Sequence, residues 1–309
     1  MQLFHITSQG KNSQIDLQKK EISEKFDMHT RDLRPVYLSH QLFTISVRGE
    51  AVVVNLGKLK LIIGIHETLI FPMKNERKLR KFLEILSKKL QKRAEEDREI
   101  PFEFIVLETA FTFILKDISK HFDVFEKQLE KLLEEISESP SQKNFGNLLL
   151  KKKEILLLEK PAQEIKNALY EVLEEEDEIE ELWISKNKHS DFEEDDVESI
   201  LENLLEQVTE ISHKLADKKE NIDDTQEIIT LKLSSIRNTI IQYDLLLSAF
   251  AVIFSGGTLV SGFFGMNLLN HQENNQDMFF WIVTSTLTFS LIFLFLFFIL
   301  IKKKRIWQN

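Results

Sequence analysis

Two uncharged stretches toward the C-terminal end constrain this chain more than any other feature. Leu245 to Phe264 carries no charged side chain over 20 positions, and Met278 to Ile301 carries none over 24. At 1.5 Å per residue, each is long enough to cross roughly 30 Å of hydrocarbon as a helix. A buried core helix is the competing reading. It fits the second stretch poorly, because Leu291-Ile292-Phe293-Leu294-Phe295-Leu296-Phe297-Phe298 is apolar all round. Two membrane spans are therefore predicted. Lys302-Lys303-Lys304-Arg305 follows the second span directly, which puts the C-terminus on the cytosolic or mitochondrial matrix side. Two crossings return the N-terminal part to that same side and leave a short acidic loop, with Glu273 and Asp277, on the far side.

Composition narrows the rest. Only 9 Gly and 5 Pro interrupt 309 residues, so long helices are the natural outcome. A net charge of -10 argues against a nucleic-acid partner, which would need a basic face to displace counterions. The absence of cysteine excludes disulfides and thiolate metal sites. There is no Gly-rich phosphate loop, Ser-His-Asp set or metal-hydrolase constellation, so neither an enzyme nor a cofactor is expected. Residues 1–30 lack an apolar core and an arginine, and carry Asp16, Glu21, Glu24 and Asp27, unlike a signal or transit peptide.

The soluble part reads as mixed, then helical. Leu42 to Val47, Ala51 to Leu56 and Leu59 to Ile65 are short β-branched runs parted by Gly49 and Gly57, with Gly64 near the end of the third. Asn75 is placed to cap a charged helix ending near Arg98. These define a small α/β domain over 31–98, preceded by an N-terminal extension, 1–30. A helical domain spans 99–190. In it one apolar stripe contains Phe122, Phe125, Leu129, Leu132 and Ile136, and a break falls at Ser139-Pro140-Ser141. A second helix is expected from Asn144 to Leu182, with a kink at Pro161 and a linker at Ser185 to Ser190.

A stalk, 191–244, then feeds the first span, 245–264. Val197, Leu201, Leu204, Val208, Ile211 and Leu215 recur at coiled-coil spacing, and Ile222, Ile229 and Ile236 continue at sevens. No proline lies between Asp195 and Phe264, and no glycine before Gly256. One helix of roughly 70 residues, about 100 Å long, is predicted. Such a helix needs neighbours, and copies of the same chain are the economical source. The remaining segments are a loop at 265–277, the second span at 278–301 and a basic tail at 302–309.

The entrance to the first span has its own pattern. Arg237, Ile241, Asp244, Ser248, Ala251, Ser255, Thr258 and Gly262 step alternately by four and three, so they form one seam. From Asp244 onward that seam is small or polar at every position. Small residues let membrane helices pack closely, and an ionisable residue at the membrane edge usually faces a cavity or pathway. Both readings of the seam stay open, close packing and a wet axis.

Phe264-Gly265-Met266-Asn267 follows the first span at once, and an acidic loop and the second span come after it. This resembles the Gly-Met-Asn signature of CorA-type magnesium channels in residues and in place. Arg31-Asp32-Leu33-Arg34, Gly57-Lys58-Leu59-Lys60 and Pro101-Phe102-Glu103-Phe104-Ile105-Val106-Leu107-Glu108 are similar to the eukaryotic, mitochondrial-type branch, as is Asp223-Asp224-Thr225 leading to Arg237-Asn238. The resemblance runs from about Arg31 to Arg305. It implies a mainly α membrane protein, a funnel-shaped homopentamer with a pore lined by the first span. Gly265, Met266 and Asn267 would form the selectivity filter, and Glu273 and Asp277 an acidic outer mouth. Relatives in this branch often carry an acidic residue where this chain has Ser234, and Asp244 on the same seam would supply the missing charge.

Magnesium suits such a filter because it sheds water reluctantly and demands octahedral oxygen coordination. A ring of Asn267 carboxamides would hold the waters of a still-hydrated ion without stripping them. The bland reading of the tripeptide is a helix C-cap, since Gly and Asn both tolerate the left-handed conformation. The acidic residues Glu174, Glu175, Glu176, Asp177 and Glu178, with Asp195 and Asp196, read either as solvated faces or as internal magnesium sites that close the pore. The alternatives to a magnesium channel are a relative that moves zinc, nickel or cobalt, and a non-transporting coiled-coil scaffold. A mitochondrial inner membrane follows from the branch resembled, and a plasma or internal membrane from the N-terminal composition.

Overall fold

The computed structural model describes residues 1–37, 43–96, 100–138, 141–186, 194–266 and 276–306. The chain divides into two compact units, Met1–Gln226 and Glu227–Asn309.

The first unit is built on a six-stranded sheet in the order β2-β1-β6-β5-β4-β3. Its strands are β1 (Gln2–Thr7), β2 (Asn12–Asp16), β3 (Phe43–Arg48), β4 (Ala51–Leu56), β5 (Leu59–Ile63) and β6 (Glu67–Ile70). Every neighbouring pair is antiparallel. β4 is buried at all six positions, so apart from Asn55 it is apolar throughout instead of alternating. Period two still sorts its side chains: Ala51 and Val53 join a cluster with Ile22, Phe26, Leu33 and Val36, from which Val52 and Val54 are absent. Gly49 makes the tight β3–β4 turn possible. Its φ of 60° suits glycine, and a Cβ there would sit 2.6 Å from the Phe26 carbonyl oxygen.

Residues 1–30 are not an extension to this sheet but part of it. They supply β1, β2 and α1 (Lys19–Lys25), and Leu3 and Ile22 are fully buried. Polar residues on the exposed β2 hide its strand character in the sequence. A short helix, α2 (Arg34–Tyr37), follows. It is held down by Asn55 Nδ2, which donates to the Pro35 carbonyl at 2.6 Å, and by Lys60 Nζ, which donates to that of Val36 at 3.1 Å.

The helical part begins with α3 (Glu76–Glu96), capped by Asn75, whose Oδ1 accepts the Lys78 amide at 3.2 Å. α4 (Phe102–Glu138) and α5 (Gln142–Glu174) pack against each other, and Ser141 caps α5 through the Asn144 amide. Pro161 lies inside α5. The helix expected to reach Leu182 instead breaks at Glu175, where an extended conformation separates α5 from α6 (Glu176–Leu182). The linker expected at Ser185 to Ser190 also differs. Ser185 is buried, and residues 187–190 lie outside those described.

α7 (Glu194–Phe264) is one unbroken helix of 71 residues. Its coiled-coil stripe has a different partner from the one expected. Val197, Leu201, Leu204, Val208, Leu215, Ile222 and Ile229 are already buried within the single chain. Ion pairs fasten this part of α7 to the helical hairpin: Lys218 to Glu126 at 2.7 Å, Lys219 to Glu159 at 2.8 Å, and Lys152 to Asp223 at 2.6 Å. Burial of such side chains stabilises the unit by ~1.5–3 kcal/mol apiece. Only from Ile236, 54% exposed, does the stripe lack cover from its own chain.

The second unit contains the remainder of α7 and α8 (Gln276–Ile306). The most apolar windows of the two helices have mean hydropathies of 1.8 and 2.1, and only 6% and 0% of their residues are buried. Apolar surface on that scale is not left in water by a soluble fold. The apolar parts of these two helices have the length and composition of membrane spans.

Candidate ion-conducting site

Nine predicted pore residues, Ser234, Arg237, Ile241, Asp244, Ser248, Ala251, Ser255, Thr258 and Gly262, all lie on α7 and are all exposed within the single chain. The part of α7 between Leu246 and Val260 that the chain does cover is a separate stripe: Leu246, Ala249, Ile253, Gly257 and Val260. At about 100° per residue, the centres of the seam and of the covered stripe lie roughly 180° apart around the helix. α8 has a matching covered stripe at Ile282, Thr286, Ser290 and Leu294. The small, polar edge of the first span is thus turned away from the side that the chain itself packs.

Chemistry along the seam is mild. Thr258 Oγ1 donates to the Phe254 carbonyl at 2.8 Å, which spends its proton inside the helix and leaves oxygen lone pairs to accept from water. The hydroxyls of α8 behave likewise: Thr284 donates to Phe280, Thr286 to Ile282 and Thr288 to Thr284. A Cβ added at Gly262 would meet nothing within 4 Å, so another surface can come close there.

At the end of α7 the Gly265 amide donates to the Ser261 carbonyl at 2.9 Å and closes the last helical turn. Among the described residues, positive φ occurs at Gly10, Gly49 and Gly57 among the glycines and not at Gly265. Gly265 therefore does not end the helix in the left-handed conformation that a conventional C-cap would need. Met266 is 52% exposed. Asn267 and Glu273 lie outside the described residues, while Asp277 stands in the first turn of α8, where the helix dipole favours a carboxylate.

The acidic residues expected to sense internal magnesium are distributed over three elements. Glu174 ends α5, Glu175 separates it from α6, Glu176, Asp177 and Glu178 open α6, and Asp195 and Asp196 open α7. Glu174, Glu175, Asp177, Asp195 and Asp196 are exposed. No group of three or more metal-ligating side chains comes together among the described residues of one chain. Several of these acids occupy helix N-terminal turns, which stabilise a negative charge without any bound ion.

The feature missed in the sequence is the covered stripe. Its signal was present, since Leu246, Ala249, Ile253, Gly257 and Val260 recur at helical spacing opposite the seam.

Comparison with known proteins adds an independent line. A sequence model of the family described as "Magnesium transporter MRS2-like" matches residues 2–237. The magnesium transporter MRS2-7 of Arabidopsis thaliana is 27% identical over 93% of this chain and 88% of its own length. The mitochondrial inner membrane magnesium transporter MRS2 of Gibberella zeae is 27% identical over 90% of this chain, which spans 53% of that relative. Its Schizosaccharomyces pombe counterpart is 26% identical over 89% of this chain and 68% of its own length. The complete structure of the CorA magnesium transporter from Methanocaldococcus jannaschii has the same fold, with a TM-score of 0.64 over 96% of this chain and 97% of that one at 15% identity. The full-length CmaX protein aligns with a TM-score of 0.56 at 14% identity, covering 94% of this chain and 95% of its own.

Proposed function

The chain belongs to the MRS2-like family of magnesium transporters, and from that premise we propose that it conducts hydrated Mg2+ through a pore made by five copies of α7. The observation that carries this reading is the placement of the small, polar seam, exposed and opposite the stripe that the chain covers for itself. In a ring of copies that edge would turn to the common axis, where hydroxyls, small side chains and Asp244 suit water and a solvated dication better than lipid tails do.

Each residue then has a role. Gly265, Met266 and Asn267 form the selectivity filter, with Asn267 carboxamides accepting hydrogen bonds from the waters of the hydrated ion. Glu273 and Asp277 raise the cation concentration at the outer mouth. Asp244 supplies inner negative charge in place of an acid at Ser234, and Arg237 and Ile241 narrow the entrance. Two positive charges falling through 100 mV gain about 4.6 kcal/mol, so uptake needs no ATP. Acidic residues 174–178 of one copy and Asp195 and Asp196 of the next share internal Mg2+ and hold the pore closed when the ion is plentiful. We assign the inner mitochondrial membrane, following the fungal relatives, with both termini on the matrix side.

Magnesium uptake into liposomes holding the purified chain tests this reading. Wild type should load Mg2+ under an inward-negative potential, and Asn267→Ala should abolish or strongly cut the flux. Equal flux in the two proteins would refute the filter. No flux in either would leave an anchored scaffold, and preference for zinc or cobalt in competition would reassign the ion.

A further inference from the structure

Glu103 is a carboxylate in the wrong place for an ordinary surface acid. It stands in the first turn of α4 and is 1% exposed. Its Oε1 accepts two hydrogen bonds from one residue far along the chain: the Ser185 amide at 3.0 Å and the Ser185 hydroxyl at 2.6 Å. Its Oε2 is buried with no hydrogen-bond partner among the described residues. The positive end of α4 offsets part of the cost of that charge, and Arg93 on α3 supplies an opposing one. Burial pushes the Arg93 guanidinium down while the Glu103 charge pushes it up.

The other end of the contact gives it meaning. Ser185 is itself 3% exposed and follows the buried Trp183. Lys186 Nζ turns back to Glu180 Oε1 at 2.6 Å and so ties the same segment to α6. Upstream stands the acidic run that opens α6, and downstream the chain leads to Asp195, Asp196 and the pore helix. One buried carboxylate therefore grips residue 185, which lies in the sequence between the two acidic sets. Charge-assisted bonds of this kind are roughly twice as strong as neutral ones and are geometrically specific.

We propose that Glu103 is the latch that fastens residues 183–186 to α4, and that through it the state of the acidic residues reaches the pore helix. The role rests on the reading, given above, that internal Mg2+ closes the pore. Glu103 is a positioning residue and touches no ion.

The test uses the full chain in liposomes, with Mg2+ as the probe, comparing wild type with Glu103→Gln and Ser185→Ala. The first variant keeps the shape and one acceptor oxygen while removing the charge. The second removes only the hydroxyl donor and carries the test if the first does not fold. Two quantities are read: hydrogen exchange at the residue-185 amide, and the internal Mg2+ concentration that halves uptake. Loss of one charge-assisted bond predicts about tenfold faster exchange and a half-inhibiting concentration raised by up to about tenfold, with flux into a chelated interior unchanged. Unchanged exchange overturns the latch, as does faster exchange with wild-type inhibition. A wild type insensitive to internal Mg2+ overturns the gating reading and the latch's role together, which separates that failure from a failure of the latch alone.

Discussion

Alanine at Ile222 and at Ile236, introduced one at a time, separates the part of α7 that the chain covers from the part left for a neighbour. The two positions share one register, two heptads apart, yet Ile222 is fully buried and Ile236 is 54% exposed. Truncating a buried isoleucine costs about 2–5 kcal/mol, transfer and cavity terms together. Ile222→Ala should therefore destabilise the protein by that amount at every protein concentration. At Ile236 a lone chain loses about 0.5 kcal/mol or less. If a neighbouring copy covers the exposed half of that side chain, another ~1 kcal/mol per subunit becomes available. Urea unfolding in detergent, followed by far-UV circular dichroism and combined with sedimentation across a concentration series, reads both effects. Ile236→Ala should weaken association and lower stability only where subunits are assembled. An Ile236→Ala protein that associates like wild type would refute the argument that copies of the chain meet along this part of the helix.

Other expectations follow from the soluble unit. Asp117 is partly buried, which raises its pKa, but the hydrogen bond from Lys78 and the charges of Lys78, Lys58 and His121 outweigh that desolvation and lower it. Stability from this cluster is thus fully present above the ordinary aspartate pKa, about 4, and is lost as pH falls through the lower folded value. Asp117→Asn should melt below wild type at neutral pH, with the gap closing in acid, and parallel melting curves against pH would contradict this. Alanine at Glu174, Glu175, Glu176, Asp177 and Glu178, or at Asp195 and Asp196, should raise the internal Mg2+ needed to inhibit uptake. Inhibition unchanged in both sets would return those residues to the role of solvated helix ends.

Much of the molecule was legible from residues alone, where one physical signal dominated. The spans were plain because 20 and 24 uncharged positions leave few alternatives. The length of α7 was legible because nothing between Asp195 and Phe264 breaks a helix before Gly256. What covers α7 was not, since a heptad stripe records burial without naming the partner. Here, within the first unit, ion pairs at Lys218, Lys219 and Asp223 tie α7 to α4 and α5 of the same chain. β2 was missed because Asn12-Ser13-Gln14 looks like a loop until pairing with β1 gives it a ladder. Glu103 was visible only as part of a motif. Its contact with Ser185 spans 82 positions, a separation that no local pattern reports.

The orientation of the first span carries the whole account, and the absence of native cysteine makes it directly measurable. Single cysteines placed one at a time from Asp244 to Gly262 can be treated with a charged, membrane-impermeant thiol reagent while Mg2+ flux is recorded. Modification and block should recur at Ser248, Ala251, Ser255, Thr258 and Gly262, with Leu246, Ala249, Ile253, Gly257 and Val260 silent. Reactivity on the second set, or on neither, would contradict a water-filled axis along the seam.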